Sequence, residues 1–163
     1  MQDEQLEQLA HETGRLLSWK RLTMTAAESC TGGWIAKVMT DVPGSSAWFE
    51  RGFVTYSNQS KIGMLGVRAD TLEYFGAVSE QVVLQMAQGA LVCSRADVSV
   101  AISGIAGPGG GSQHKPVGTV WMAWADEKGA VAERCWFAGD REQVRRQAVV
   151  HALQQLGAFC AKK

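Results

Sequence analysis

Along the first twenty residues, Leu6, Leu9, Ala10, Leu16 and Leu17 fall on one stripe at helical spacing, which predicts an amphipathic helix over 3–19. The pattern then changes. Residues 22–27 are a short apolar run of strand length, after which Trp34, Ile35, Val38 and Met39 return to helical spacing up to about Thr40. A turn signal follows at Pro43-Gly44-Ser45-Ser46, and the aromatic and β-branched residues of 47–57 predict a strand. This strand runs into a short helix from Asn58 through Leu65. Ser79 is a suitable N-cap for a long helix that buries Val82, Val83, Met86, Ala87, Ala90 and Leu91. In 97–103, Val98, Val100 and Ile102 alternate with small residues, the mark of a strand between packed layers. Residues 117–125 and 130–137 are two more strands joined by a hairpin turn, and Asp140 caps a last helix reaching about Cys160. Helices alternating with strands predict an α/β fold. Its form is a three-layer α/β/α sandwich with a mixed, mostly parallel sheet and one antiparallel hairpin, built as one domain over 1–163.

Composition narrows the partners. Lys plus Arg and Asp plus Glu number 16 each, so the net charge is zero and no basic surface argues for nucleic acid or an anionic membrane. The first residues are acidic and lack the pattern of a signal peptide, and no apolar run approaches the ~18 residues of a membrane span. Cys30, Cys93, Cys135 and Cys160 lie far apart without a C-x-x-C pair, so neither a disulfide framework nor a zinc ribbon is expected. A cytoplasmic protein with no metal and no cofactor is the expectation. The six tryptophans are read as core and interface residues, and the aromatic content points to a homo-oligomer.

Three polar features stand at the ends of predicted strands, where ligands of α/β sheets gather. The first is Glu28-Ser29-Cys30-Thr31-Gly32-Gly33, a strand–turn–helix passage of the kind that raises a nucleophile above a sheet. The second is Tyr56 with Lys61, and the third is the glycine loop at 104–111. An ordinary βα loop with a capping Ser or Thr is the plainer reading of the first. A serine needs a base, and His11, His114 and His151 all lack the context of one. Lys61 serves if burial lowers its pKa from ~10.4 toward ~7–8; otherwise it is an ordinary exposed lysine. The glycine loop matches neither the dinucleotide nor the Walker pattern, though its amides would suit a phosphate or ribose. Arg141 and Arg145, one turn apart near a helix start, would make an anion site or, for Arg145, a surface ion pair. Cys30 is either a second nucleophile candidate or a structural cysteine.

Taken together, Ala27-Glu28-Ser29-Cys30-Thr31-Gly32-Gly33, Gly44-Ser45-Ser46-Ala47-Trp48-Phe49, Gly52-Phe53-Val54-Thr55-Tyr56-Ser57-Asn58 with Lys61, Ser103-Gly104-Ile105-Ala106-Gly107-Pro108 and Lys115-Pro116-Val117-Gly118-Thr119-Val120 closely resemble the CinA C-terminal domain family, over essentially the whole chain. The resemblance is to its stand-alone amidohydrolase form. It implies deamidation of nicotinamide mononucleotide to the nicotinate nucleotide and ammonia, in pyridine nucleotide salvage, through a Ser–Lys pair without metal. The matching catalytic positions are Ser29, Lys61 and Tyr56. Cys30, Thr31, Gly32, Gly33, Gly107 and Arg145 are expected at the substrate, with amides around 31–33 holding the oxyanion. The extra N-terminal domain of larger members is not expected here, nor any pyrophosphatase activity linked to it. A nucleotide-binding or regulatory module without turnover is the alternative, and an oligomeric scaffold packed through its tryptophans a third reading.

Overall fold

A computed structural model describes residues 2–163. The elements run α1 (Gln2–Lys20), β1 (Met24–Glu28), α2 (Trp34–Thr40), β2 (Phe49–Val54), α3 (Asn58–Leu65), α4 (Ala69–Phe75), α5 (Glu80–Val92), β3 (Val98–Gly104), β4 (Thr119–Asp126), β5 (Gly129–Trp136) and α6 (Arg141–Ala161). A 3₁₀ turn at Ser45–Ala47 leads into β2. The five strands form one sheet in the order β2-β1-β3-β4-β5. The β1–β2 and β1–β3 pairings are parallel, and β3–β4 and β4–β5 are antiparallel. The sheet is therefore evenly divided rather than mostly parallel. The cause is the loop at 105–118, which carries the chain straight back from β3 into β4, so that β4 opens an antiparallel half.

The two faces of the sheet differ in side-chain size, and this sets the layers. Met24, Ala26, Val98, Val100, Ile102, Val120, Met122 and Trp124 pack with buried residues of α1, α2 and α6. The opposite face offers Ala27, Ala101, Ala123 and Ala125 to Val82, Val83, Met86, Ala87 and Ala90 of α5. Period-two alternation places large and small residues on opposite faces, so α5 comes close enough for Ser99 Oγ to reach the Ala87 carbonyl at 2.7 Å. The two helices α5 and α6 begin where the sequence predicts. The Ser79 side chain accepts from the Val82 amide, and Asp140 with Gln143 forms a reciprocal capping box. The apolar pattern gives no signal for α4, which buries only Thr71 and Leu72. Of the tryptophans, Trp48 and Trp124 are core residues while Trp19 and Trp136 are exposed. No helix among the described residues is long and apolar enough to cross a membrane.

One close approach matters for the site. A Cβ on Gly89 of α5 would lie 1.9 Å from the Leu65 carbonyl oxygen. Glycine there lets the end of α3 rest on α5, which fixes the helix that carries Lys61.

Candidate active site

The carboxyl ends of β1 and β3 adjoin at the point where the connections diverge, β1 leading outward to β2 and β3 outward to β4. Such a divergence opens a crevice above the sheet. A cavity of about 230 Å³ occupies it, lined by Ser29 and Cys30 after β1, Tyr56 after β2, Ser103, Gly104 and Ala106 at β3, Asn58 and Lys61 of α3, and Arg141 of α6.

Ser29 is held from both sides. Its amide donates to the Ile102 carbonyl (3.0 Å), and its own carbonyl accepts from the Gly32 amide (3.1 Å). Gly32 and Gly33 both have positive φ, 60° and 99°, so the chain reverses within four residues and enters α2. Beneath the turn, the buried Glu28 carboxylate accepts from Thr31 Oγ1 (2.7 Å), the Ile35 amide (2.8 Å) and the Ala36 amide (3.1 Å). Burial raises its pKa, and these donors oppose the rise. The amide of Gly32, expected with its neighbours to face an oxyanion, is thus engaged inside the turn by the Ser29 carbonyl.

The Lys61 side chain runs inward from the first turn of α3, whose N-cap is Ser57, and is 1% exposed. Its Nζ lies 2.9 Å from Ser29 Oγ, 2.8 Å from the Thr55 carbonyl and 3.2 Å from the Tyr56 carbonyl. Burial lowers its pKa to about 8. A neutral amine has two N–H groups and one lone pair. With both N–H groups given to the carbonyls of Thr55 and Tyr56, the lone pair is left for the Ser29 hydroxyl. This arrangement can take a proton from Ser29. The Cys30 thiol, by contrast, is pushed up to about 11 by burial, which keeps it protonated.

Tyr56 meets the lysine through its backbone, while its phenol oxygen accepts from Arg141 Nη2 at 3.0 Å at the cavity mouth. Arg141 Nη1 donates to the Gly107 carbonyl (2.8 Å), so Gly107 reaches the site as the anchor of that arginine. Arg145 sits elsewhere. It donates from Nε to the Cys30 carbonyl (2.9 Å) and from Nη2 to the Thr31 carbonyl (3.2 Å), gripping the turn that carries Ser29 from outside. Thr31, Gly32, Gly33 and Arg145 instead line a larger cavity of about 820 Å³ between α1, α2 and α6, together with Trp34 and His11. The smaller cavity is the candidate for chemistry because it alone of the two holds the hydroxyl and the amine. Of the two arginines one turn apart on α6, the sequence reading placed Arg145 at the substrate. The fold turns Arg141 into the cavity. No histidine lines it.

The family model described as the CinA C-terminal domain matches residues 6–160. The chain belongs to the CinA C-terminal domain family. Among its relatives, the nicotinamide-nucleotide amidohydrolase PncC of Escherichia coli K12 is 60% identical over 96% of this CinA domain and 95% of its own length. The PncC of Pseudomonas putida is 54% identical over 91% and 92%. Among solved structures, the competence/damage inducible protein CihA of Agrobacterium tumefaciens superposes with a TM-score of 0.92 at 46% identity, covering 95% of each chain. A CinA superfamily protein of Klebsiella pneumoniae gives 0.94 at 40% identity, covering 97% of this chain and 99% of that one.

Proposed function

We propose that the protein is an amidohydrolase that converts the carboxamide of nicotinamide mononucleotide into a carboxylate and ammonia, with a Ser–Lys pair and an acyl-enzyme intermediate. The observation that carries this reading is the buried amine of Lys61 at 2.9 Å from Ser29 Oγ, with its other neighbours both carbonyl acceptors. The names of the PncC relatives, at 54–60% identity over nearly their full length, supply the substrate. In pyridine nucleotide salvage this is the step that yields the nicotinate nucleotide.

Ser29 Oγ attacks the carboxamide carbon while neutral Lys61 takes its proton. We assign the developing oxyanion to the amide of Cys30, the residue after the nucleophile, a contact worth ~3–4 kcal/mol in comparable sites. The ammonium form of Lys61 returns the proton to the leaving nitrogen, the C–N bond breaks, and ammonia departs. Water, deprotonated by the same amine, then cleaves the ester and frees Ser29. The cavity of about 230 Å³ is below the ~300–1,000 Å³ of most ligand sites, so it accepts the carboxamide and ring. Ribose and phosphate extend past the mouth, where the Arg141 guanidinium and the Tyr56 phenol stand.

Ammonia release from nicotinamide mononucleotide, assayed with purified protein and with Ser29→Ala, tests the reading. The wild type is expected to turn over, the variant to lose activity by at least a thousandfold while keeping its fold, and mass spectrometry to find the acyl group on Ser29. Binding without turnover by the wild type would favour the regulatory alternative. Turnover by Ser29→Ala would refute the serine mechanism.

A further inference from the structure

On the face of the sheet that packs against α6, edge strand β5 presents Glu133 and Cys135, two residues apart and therefore on one side of the strand. His151 of α6 meets them. Its Nε2 lies 3.1 Å from Glu133 Oε1, and Cys135 Sγ lies 3.8 Å from the same oxygen. All three donor atoms fall within 4.8 Å of one another. None of these residues lines the catalytic cavity.

We propose that Glu133, Cys135 and His151 form a binding site for a divalent metal ion of the zinc class. Tetrahedral zinc with ~2.0–2.2 Å bonds to N and O and ~2.3 Å to S places its nitrogen and oxygen ligands about 3.3 Å apart and its sulfur and oxygen ligands about 3.6 Å apart. The observed 3.1 and 3.8 Å are each within a few tenths of an ångström of those edges. One nitrogen, one sulfur and one carboxylate oxygen is a donor set suited to Zn²⁺, too soft for Mg²⁺ or Ca²⁺. The surroundings are also of the right kind. The Phe137 ring packs edge-on to His151 with centroids 6.1 Å apart, and Cys135, Phe137 and Val150 lean on the apolar core, so the ligands stand in a carbon-lined wall. The outward side stays accessible, the Glu133 side chain being 44% exposed and His151 26%, which leaves a fourth position for water. On binding, the Cys135 thiol releases its proton to solvent and the thiolate takes the metal.

The ligands come from an edge strand and a helix that are otherwise joined here by the His151–Glu133 contact and the Phe137 ring against His151. A metal there staples β5 to α6, the helix whose first two turns carry Arg141 and Arg145. It has no role in the bond-breaking step.

Metal-free protein titrated with Co²⁺ tests this. One equivalent is expected to give the strong visible absorption of tetrahedral cobalt with a thiolate-to-metal charge-transfer band, and Zn²⁺ to abolish both. Cys135→Ser should remove the charge-transfer band, and His151→Ala should weaken Co²⁺ binding at least tenfold. Cys93→Ala, which changes an exposed cysteine elsewhere, should leave the spectrum as it is. Circular dichroism of each variant confirms that it is folded. One equivalent of Zn²⁺ should raise the Tm of the wild type and not of Cys135→Ser. The proposal is overturned if no charge-transfer band forms, if it survives in Cys135→Ser, or if His151→Ala binds Co²⁺ as tightly as the wild type.

Discussion

Lys61 should titrate near pH 8, and the direction of every effect follows from its burial. An exposed lysine at the ordinary 10.5 is about 0.03% neutral at pH 7, whereas one at about 8 is roughly 9% neutral. Burial thus gives about 300 times more base. With neutral Lys61 required, kcat/KM rises about tenfold per pH unit below 8 and levels off above it. The same shift affects stability. Between about 8 and 10.5 the unfolded chain holds a proton on this lysine that the folded chain lacks, so stability rises with pH across that window and is lost as pH falls back through 8. The total is ~3 kcal/mol, from 2.5 pKa units at ~1.4 kcal/mol each. It should appear in the difference between wild type and Lys61→Met, measured by urea unfolding at pH 7 and at pH 10.5. Two assays therefore report on one group. A kcat/KM profile flat from pH 6 to 9, or a stability difference that does not change with pH, would refute a neutral amine at this position.

Other expectations follow from the contacts around the site. Arg141→Ala should raise KM at least tenfold with a smaller effect on kcat, since its guanidinium faces the cavity mouth, whereas Arg145→Ala should lower kcat more than it raises KM, because the carbonyls it grips belong to the turn that carries Ser29, the proposed nucleophile; steady-state kinetics of the pair separates the roles. Glu28→Ala removes the acceptor of several buried donors and should cost ~3 kcal/mol or more in chemical denaturation, with loss of turnover as the turn relaxes. Gly89→Ala forces a methyl group onto the Leu65 backbone and should cost ~1–3 kcal/mol, with a drop in kcat as α3 moves Lys61 away from Ser29. Cys30→Ala should keep most of the activity, because a thiol held up at about 11 is not the nucleophile; its inactivation would point to a thiol route.

Local patterns along the chain were enough to mark most of the elements and the three strand ends that meet at the cavity. Alternating Val98, Val100 and Ile102 announced a strand between layers, Ser79 and Asp140 announced helix starts, and the run from Glu28 to Gly33 announced a sharp strand-to-helix turn. These signals are legible because periodicity and capping depend on neighbours only a few residues away. What the sequence left open was every question of which side chain points where. Arg141 and Arg145 read alike as cations one turn apart, yet one reaches Tyr56 and the other the outside of the Ser29 turn. The amide at Gly32 looked available for an oxyanion, and only the folded chain shows it given to the Ser29 carbonyl. Glu133 and His151 lie 18 residues apart in sequence, and nothing local marks them as neighbours. Lys61 is the sharpest case. As a residue type it is a surface cation, and it becomes a candidate base only when α3, lodged against α5 at Gly89, carries its amine out of water to the end of β1. Desolvation is a property of packing between distant segments, so the pKa that makes the chemistry possible is decided by the tertiary structure.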